Sequence, residues 1–295
     1  MRVFVTGASG WIASGVVPEL IEAGHQVVGM ARSEEGAAKV KAYGAEVRMG
    51  NLDDLDSLRK GAEEADGVVH LAFNHDDFVA AGSTERAAVE MFGDVLAGTD
   101  KPFLFASGVA LLKPGQLLTE EDATPFSGPQ APRGGGEQLA LSYADRGIRS
   151  VSLRFAPTVH GVGDHGFIAY LVQAARQQGA AGYVGDGSNR WPAVHRDDAA
   201  KAVALALEKS APGSVVHAIA EEGIPTREIA EAIGRRLGLP TESITAEEAQ
   251  TRLGFIGMVY SGDMPASNTL TRERLGWEPT HATLLEDLNA GAYTS

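Results

Sequence analysis

The chain has 295 residues, of which 44% are apolar and 22% are charged, and its formal net charge is −14. This length and apolar content are sufficient for one large α/β domain with a buried core, which excludes a disordered chain. The negative charge disfavours nucleic acids and anionic membranes as partners, so we predict a small-molecule substrate. The sequence contains no Cys and no apolar run of membrane length, so we expect a cytoplasmic protein without disulfides.

Short apolar runs alternate with amphipathic stretches between residues 2 and 155. This alternation is typical of a parallel sheet covered by crossover helices. The predicted strands comprise residues 3–6, 26–30, 46–49, 67–71, 103–106 and 150–154. We therefore predict an α/β fold with a Rossmann-type doubly wound parallel sheet over residues 1–155, joined by parts of 190–220. Beyond residue 157, Gly and Pro separate shorter elements, which predicts a smaller C-terminal substrate-binding lobe formed mainly by residues 156–295.

A glycine-containing loop lies between the first predicted strand and the first predicted helix, where residues 5–13 read VTGASGWIA. Gly7 permits a tight turn, and Gly10 lets the backbone approach a pyrophosphate at the helix N-terminus. Free N–H groups and the helix dipole favour an anion at that position. Because the loop opens a predicted βαβ unit, the pattern predicts a dinucleotide site.

The end of the second predicted strand indicates which dinucleotide binds. A site selective for NAD offers a carboxylate there to the ribose hydroxyls, whereas this chain has Arg32 followed by Ser33. A guanidinium cannot accept those hydrogen bonds, but it can bind a 2′-phosphate through two of its N–H groups, and the serine hydroxyl can donate a third bond. We therefore predict NADP(H) as the cofactor, with an unliganded surface arginine as the alternative.

Seven segments, in order along nearly the whole chain, resemble the extended short-chain dehydrogenase/reductase family. They are residues 6–12 (TGASGWI), 50–53 (GNLD), 69–72 (VHLA), 105–108 (FASG), 153–161 (LRFAPTVHG), 194–199 (VHRDDA) and 275–279 (LGWEP). The resemblance implies cofactor contacts from Gly7, Ser9, Gly10, Trp11, Ile12, Asn51, Leu52, Leu71, Ala72, Phe73, Pro157, Thr158 and Val159. It also implies a homodimer formed through the helices around residues 86–96 and 137–146.

The chain departs from the family at its acid–base pair, a Tyr with a Lys four residues later on the same helical face. None of the six Tyr residues has a Lys at that spacing, and residues 133–137 read RGGGE where the pair is expected. We predict that Arg133 polarises or anchors the substrate and forms an ion pair with Glu137, which could instead accept the ribose hydroxyls. The three consecutive Gly residues predict a close approach of cofactor or substrate to the backbone, or a helix that starts later.

Ser107 ends the fifth predicted strand, where the resemblance implies the active-site serine. Ser107 and Arg133 would orient a carbonyl oxygen, and the proton would come from water or from a His that titrates near neutrality, His75 or His160. We predict an NADP(H)-dependent oxidoreductase that exchanges hydride with a small-molecule carbonyl or alcohol carbon, without a metal site. The alternatives are an isomerase or epimerase that retains its nicotinamide, and a non-catalytic NADP(H)-binding regulator.

Overall fold

The computed structural model describes residues 1–74 and 78–293. The strands, in chain order, are β1 (Arg2–Thr6), β2 (Gln26–Ala31), β3 (Glu46–Met49), β4 (Gly67–His70), β5 (Pro102–Gly108), β6 (Arg149–Phe155), β7 (Thr158–His160), β8 (Ala181–Val184), β9 (Arg190–His195), β10 (Ser214–Ala218), β11 (Glu221–Pro225) and β12 (Thr241–Ile244). The helices are α1 (Ala13–Glu22), α2 (Glu34–Ala42), α3 (Leu55–Glu63), α4 (Phe78–Leu96), α5 (Gly136–Ser142), α6 (Phe167–Gln178), α7 (Arg196–Lys209), α8 (Thr226–Leu237), α9 (Ala246–Leu253), α10 (Phe255–Tyr260), α11 (Thr269–Leu275) and α12 (Leu284–Ala290). Two 3-10 turns, Pro132–Gly135 and Tyr143–Arg146, flank α5.

Seven strands form one parallel sheet in the order β10-β6-β5-β4-β1-β2-β3. The chain runs outward from β1 to β3 and then returns to β4 on the other side of β1, so β1 and β4 form the switch point of a doubly wound fold. The predicted Rossmann-type α/β fold is confirmed. All six predicted strands are present, with ends that differ by at most two residues.

The seventh strand, β10, comes from the C-terminal half of the sequence and pairs with β6 at the sheet edge. It lies within the 190–220 segment that was predicted to join the sheet. The remaining strands form a three-stranded sheet, β11-β9-β7, and a two-stranded sheet, β12-β8. The assignment of these smaller sheets to a substrate-binding lobe stays a prediction.

Both faces of the large sheet are covered by helices. Val3 and Val5 pack in one apolar cluster with side chains of α1 and α7, whereas Phe4 packs in another with Leu58 of α3 and Phe92 of α4. Because successive side chains of a strand point to opposite faces, the two clusters lie on opposite sides of the sheet. In the described ranges, no helix has both the length and the apolar character needed to cross a bilayer.

His70, the last residue of β4, is buried in this core beside the glycine-containing loop. Its Nδ1 lies 2.8 Å from Thr6 Oγ1, and its ring stacks on Phe105 with 5.9 Å between ring centroids. Burial lowers the pKa of His70 to about 3, so the imidazole is neutral in the folded protein at neutral pH. The unfolded chain binds a proton at this residue below its ordinary pKa of 6.5.

We expect His70 to make the protein less stable as the pH falls. Its contribution to the free energy of unfolding is complete above pH 6.5 and is lost as the pH falls from 6.5 toward about 3. Between pH 8 and pH 5 this loss amounts to about 2 kcal/mol. Denaturant unfolding across this range should give a shallower pH dependence for His70→Asn than for the unsubstituted protein. Equal slopes for the two proteins would contradict the assignment, and the difference in slope is independent of the cavity that the substitution leaves.

Candidate functional site

The glycine-containing loop has a tight inner side and an open outer side. Gly7 has a φ of +66°, and a Cβ there would lie 2.7 Å from the backbone nitrogen of Ala72, so only glycine fits against the chain after β4. Gly10 donates a backbone hydrogen bond of 2.9 Å to the Gly7 carbonyl and is exposed. A Cβ at Gly10 would meet only that carbonyl within 4 Å. The loop therefore leaves space for a ligand in front of the N-terminus of α1.

The residues that were predicted to contact the cofactor follow the carboxyl ends of β1, β3, β4 and β6. Trp11 in the loop donates its indole N–H to the Val159 carbonyl over 2.6 Å, and Thr6 Oγ1 accepts from the Ala72 N–H over 3.3 Å. Asn51 forms the turn after β3, since its Oδ1 accepts from two backbone amides. Partly exposed members of the set are Gly7, Ser9, Trp11, Ile12, Leu52, Leu71, Ala72, Phe73 and Pro157.

Two predicted cofactor residues form hydrogen bonds inside the protein. Thr158 is 2% exposed, and its hydroxyl accepts from the Trp191 indole over 2.8 Å. Val159 is 8% exposed, and its carbonyl accepts from Trp11. The implied cofactor contact from these two residues stays a prediction. Both hold the segment after β6 in place.

A second cluster of hydrogen-bond donors surrounds the N-terminus of α2. Ser33 caps this helix, because its Oγ accepts from the Gly36 N–H over 3.1 Å. The hydroxyls of Ser9 and Ser33 lie 3.2 Å and 3.4 Å from the position of a Cβ at Gly36. Arg32 is exposed next to them, and no described residue forms a hydrogen bond or an ion pair with it. Two hydroxyls, a helix N-terminus and an exposed guanidinium together suit a phosphate.

Arg133 is held rigidly beside the end of β5. Its Nε donates to Glu85 Oε2 over 3.1 Å, and its Nη2 donates to Glu85 Oε1 and, over 2.8 Å, to the Ala106 carbonyl. The guanidinium also lies over the Phe73 ring, 4.5 Å from the ring centroid. The Arg133 side chain is 27% exposed, and no described residue accepts a hydrogen bond from its Nη1. In the described part of the chain, the donors of Arg133 Nη1 are therefore unused, and the guanidinium lies beside Ala106, the residue before Ser107.

Glu85 is the counter-ion of Arg133 and lies on α4. Its side chain is fully buried, and burial raises its pKa to about 7 although the Arg133 guanidinium acts in the opposite direction. The predicted ion pair between Arg133 and Glu137 is therefore wrong. Arg133 has a φ of +54° and precedes α5, which begins at Gly136, so the two side chains do not share a helical face.

The consecutive glycines form a left-handed turn that packs against protein backbone. Gly134 and Gly135 have φ values of +59° and +63°, and a Cβ at Gly134 would lie 2.4 Å from the Gly82 carbonyl of α4. A Cβ at Gly135 would lie 2.7 Å from the Gly128 nitrogen. The helix does start later, as one prediction had it. The close approach in the described residues is to α4 and the preceding loop.

Glu137 lies behind Ser107 and is 6% exposed. Its Oε2 accepts from the Ser107 hydroxyl over 2.8 Å, and its Oε1 accepts from Ser152 Oγ over 3.0 Å and from Arg154 Nε over 2.7 Å. Because both oxygens are occupied inside the protein, the prediction that Glu137 accepts the ribose hydroxyls is not supported. Its ion-pair partner is Arg154, which is fully buried.

This buried network continues from Glu137 through Arg154 to His217. His217 Nδ1 lies 2.7 Å from the Ser267 carbonyl, which can only accept, so Nδ1 carries the proton. His217 Nε2 lies 3.4 Å from Arg154 Nη1 and is therefore an acceptor. Burial lowers the pKa of His217, in agreement with a neutral ring. The network therefore contains one carboxylate and one guanidinium in contact, bounded by neutral groups.

The structure argues against His160 as the proton donor. Its side chain is fully buried, with Nδ1 2.7 Å from Asp287 and Nε2 3.7 Å from Glu221. Burial alone would lower the pKa of His160, but these two carboxylates raise it above its ordinary value. The imidazole therefore contacts side chains of α12 and β11 in the protein interior. His75, the other predicted donor, lies outside the described residues.

One group of side chains has the composition of a metal site, although we predicted none. Ligand atoms of His195, Asp197 and His281 lie within 4.8 Å of one another. The His195 and His281 rings stack almost in parallel, with an angle of 8° between them, so their in-plane lone pairs do not converge on one point. His195 Nδ1 accepts from the Asp197 N–H and caps α7, and His281 Nδ1 contacts Asp198. The arrangement serves the start of α7.

Sequence analysis did not identify Glu85 and Arg154, the two buried charged residues that form ion pairs with Arg133 and Glu137. Glu85 precedes Arg133 by 48 positions, and Arg154 follows Glu137 by 17. A charged residue within an apolar strand was the available signal for Arg154, because such a residue requires a buried counter-ion. No comparable signal marked Glu85.

We expect the left-handed turn to tolerate no side chain at Gly134. Gly98 offers a matched control, because its φ is +72° but a Cβ there would meet nothing within 4 Å. Both alanine substitutions incur backbone strain of about 1 kcal/mol, and only Gly134→Ala adds a clash with α4, which should cost roughly 2 kcal/mol more. Denaturant unfolding of the two variants measures this difference. Equal destabilisation would show that the turn can move away from α4.

Comparison with known proteins identifies the family. A model described as "NAD dependent epimerase/dehydratase family" matches residues 3–219. An uncharacterised protein of Schizosaccharomyces pombe is 49% identical over 99% of this chain and 100% of that protein, and a 2′-dehydrokanamycin reductase of Streptomyces kanamyceticus is 30% identical over 86% of this chain and 72% of the reductase. The UDP-glucuronic acid 4-epimerase of Bacillus cereus, solved in complex with UDP-glucuronic acid and NAD, superimposes with a TM-score of 0.76 at 20% identity, covering 99% of this chain and 98% of the epimerase. The chain therefore belongs to the NAD dependent epimerase/dehydratase family, within the extended short-chain dehydrogenases/reductases.

Proposed function

We propose that this protein is an NADP(H)-dependent oxidoreductase that exchanges hydride with a carbonyl or alcohol carbon of a small molecule, without the Tyr and Lys pair of its family. One observation carries the proposal. Arg133, whose Nη1 has no acceptor among the described residues, binds the carbonyl of Ala106, the residue before Ser107, at the same sheet edge as the glycine-containing loop. A fixed cation and a serine hydroxyl beside a nicotinamide site are suited to a substrate oxygen.

The residues at the sheet edge fit a nicotinamide dinucleotide. The open side of Gly10 at the N-terminus of α1 suits the pyrophosphate, and Leu71, Ala72 and Phe73 continue from there toward Ser107. The bound nicotinamide supplies hydride donation or acceptance. The reductase of Streptomyces kanamyceticus and the NAD complex of the Bacillus cereus epimerase support a redox nicotinamide function for this family member.

The choice of NADP(H) over NAD(H) rests on Arg32. Its exposed guanidinium, with the hydroxyls of Ser9 and Ser33 beside it, offers donors to a 2′-phosphate. The neighbouring Glu35 is engaged with Lys39 through a 2.8 Å ion pair, which reduces its repulsion of an anion. A cytoplasmic location accords with this cofactor and remains part of the proposal.

Assembly as a homodimer stays a prediction. Val89, Met91 and Phe92 of α4 are buried within one subunit, and Val95 is partly buried. An interface on this helix would therefore use the exposed polar residues Ser83, Glu90 and Asp94.

We expect NADPH to bind more tightly than NADH, and Arg32→Ala to reduce this preference at least about tenfold, equivalent to about 1.4 kcal/mol. The preference is the ratio of the two dissociation constants, measured by fluorescence titration. Arg235→Ala removes an exposed arginine from α8 and should leave the ratio unchanged. Equal ratios in the unsubstituted protein and in Arg32→Ala would refute the role of Arg32.

Turnover should depend on the guanidinium of Arg133. Lysine keeps the charge but cannot bind both Glu85 oxygens through a planar group, so Arg133→Lys should lower turnover at least about tenfold. NADPH affinity should change less than threefold, roughly, because the glycine-containing loop and Arg32 are untouched. Arg146→Lys, at a surface pair with Asp94, is the control.

The assay follows nicotinamide absorbance in both directions with a panel of carbonyls and alcohols. Unchanged turnover in Arg133→Lys would show that the guanidinium does not act on the substrate. Substrate isomerisation without net cofactor change would favour the isomerase, and cofactor binding without any conversion would favour a regulator.

A further inference from the structure

The hydrogen bond between Ser107 and Glu137 determines which way the serine hydroxyl points. An ionised carboxylate has acceptors and no donor, so Ser107 must donate its proton to Glu137 Oε2, 2.8 Å away. The lone pairs of Ser107 Oγ are then left for a ligand. In this state Ser107 can accept a hydrogen bond from a substrate alcohol, but it cannot donate one to a substrate carbonyl.

In the resting site, Glu137 is the counter-ion of the buried Arg154. Arg154 is fully buried and contacts Oε1 over 2.7 Å, and no other carboxylate forms an ion pair with it among the described residues. A buried guanidinium without a counter-ion would be strongly unfavourable, so Glu137 must supply the negative charge. Ser152 donates to the same Oε1, which leaves Oε2 as the oxygen that can accept a proton.

The other charged and titratable groups around this pair act from a greater distance. His217 is neutral beyond Arg154, and Glu120 lies buried beyond it with Oε1 accepting from the Thr271 N–H over 2.7 Å. On the substrate side, Arg133 is paired with Glu85. Glu137 is therefore the carboxylate in direct contact with Ser107.

We propose that Ser107 and Glu137 form the proton relay that replaces the missing tyrosine and lysine. This inference rests on the proposed oxidoreductase function. In the oxidation direction, the alcohol O–H bond breaks as its proton passes to Ser107 Oγ, and the Ser107 proton passes to Glu137 Oε2. The hydrogen bond from Arg154 to Oε1 stays in place, but Arg154 then lacks its counter-charge, so Glu137 holds the proton only during turnover. The alcohol carbon loses hydride to the oxidised nicotinamide, which takes both electrons, and a carbonyl remains. In the reduction direction, protonated Glu137 returns the proton through Ser107 to the forming alkoxide.

Among the described residues, this route is more favourable than proton transfer through Arg133 or His160. Arg133 cannot lose a proton near neutral pH, and His160 is buried against Asp287 and Glu221. Arg133 instead stabilises negative charge on the substrate oxygen through Nη1. The two functions of the usual tyrosine, proton transfer and polarisation, are thus divided between Glu137 and Arg133.

The test substitutes each residue of the relay in turn and compares the turnover of the variants. Glu137→Gln keeps the shape of the side chain but cannot accept a proton as the carboxylate does, so alcohol oxidation should fall at least about a hundredfold in kcat. Ser107→Ala should cause a similar loss, Ser107→Thr should recover most of it, and the double variant should be no worse than either single variant. Ser152→Ala removes a hydroxyl from the far oxygen of the same carboxylate and should lower kcat much less than Ser107→Ala.

Two further measurements separate a relay from a structural role. The acidic limb of the pH profile of kcat should disappear in Glu137→Gln, while the dissociation constant of NADPH stays within about threefold. In the protein without cofactor, infrared spectra should contain a carboxylate band that is absent in Glu137→Gln and displaced in Ser107→Ala. Glu137→Gln leaves Arg154 without its counter-ion and could fail to fold. In that case Ser107→Ala and Ser107→Thr still test the relay, since both keep the Glu137–Arg154 pair.

Turnover of Glu137→Gln or Ser107→Ala within threefold of the unsubstituted protein would overturn the relay and leave the oxidoreductase proposal intact. An infrared band that does not move in Ser107→Ala would also overturn it. If no substrate is turned over by the unsubstituted protein, the oxidoreductase proposal fails, and the infrared bands then report separately whether the two side chains are coupled.

Discussion

The site depends on the pairing of buried charges at the carboxyl end of the parallel sheet. Two guanidinium groups and two carboxylates lie there in separate pairs, Arg133 with Glu85 and Arg154 with Glu137. Glu85 and Arg154 are fully buried, so removal of either partner would strand a charge at a cost of about 3–5 kcal/mol. Each pair is also tied to β5, since Arg133 binds the Ala106 carbonyl and Glu137 accepts from Ser107. In the proposed reaction, these two contacts with β5 set the position of the substrate oxygen.

The two pairs differ in what they present to the substrate. Arg133 uses its Nε and Nη2 on Glu85 and Ala106, so its orientation is fixed and only Nη1 lacks an acceptor among the described residues. Glu137 faces the substrate only through Ser107, and the ion pair with Arg154 remains on its other oxygen. A rigid cation and a hydroxyl of fixed direction are the elements that hydride transfer requires around an oxygen whose charge changes.

The sheet and the dinucleotide site could be predicted from sequence because their signals are local. Apolar runs marked six strands, and Gly7 and Gly10 marked the turn after the first of them. The pairing of charges could not be predicted in the same way. Spacing alone placed Arg133 and Glu137 on one helical face, and that inference failed because Arg133 adopts a φ of +54°. This conformation depends on the packing of Gly134 against Gly82 of α4, a contact between residues far apart in the chain.

The same contacts explain why the family's tyrosine and lysine could not simply be restored here. A lysine at position 137 would place a second cation against Arg154, inside a region that is 6% exposed at this position and offers no other ion-pair partner among the described residues. A tyrosine at position 133 would leave Glu85 buried without its counter-ion and would have to adopt the left-handed backbone of the turn. Each of the two replacements is thus compensated by a different buried residue, Glu85 for one and Arg154 for the other. The departure from the family pattern is therefore a property of four charged residues, and a change at any one of them alters the electrostatics of the whole site.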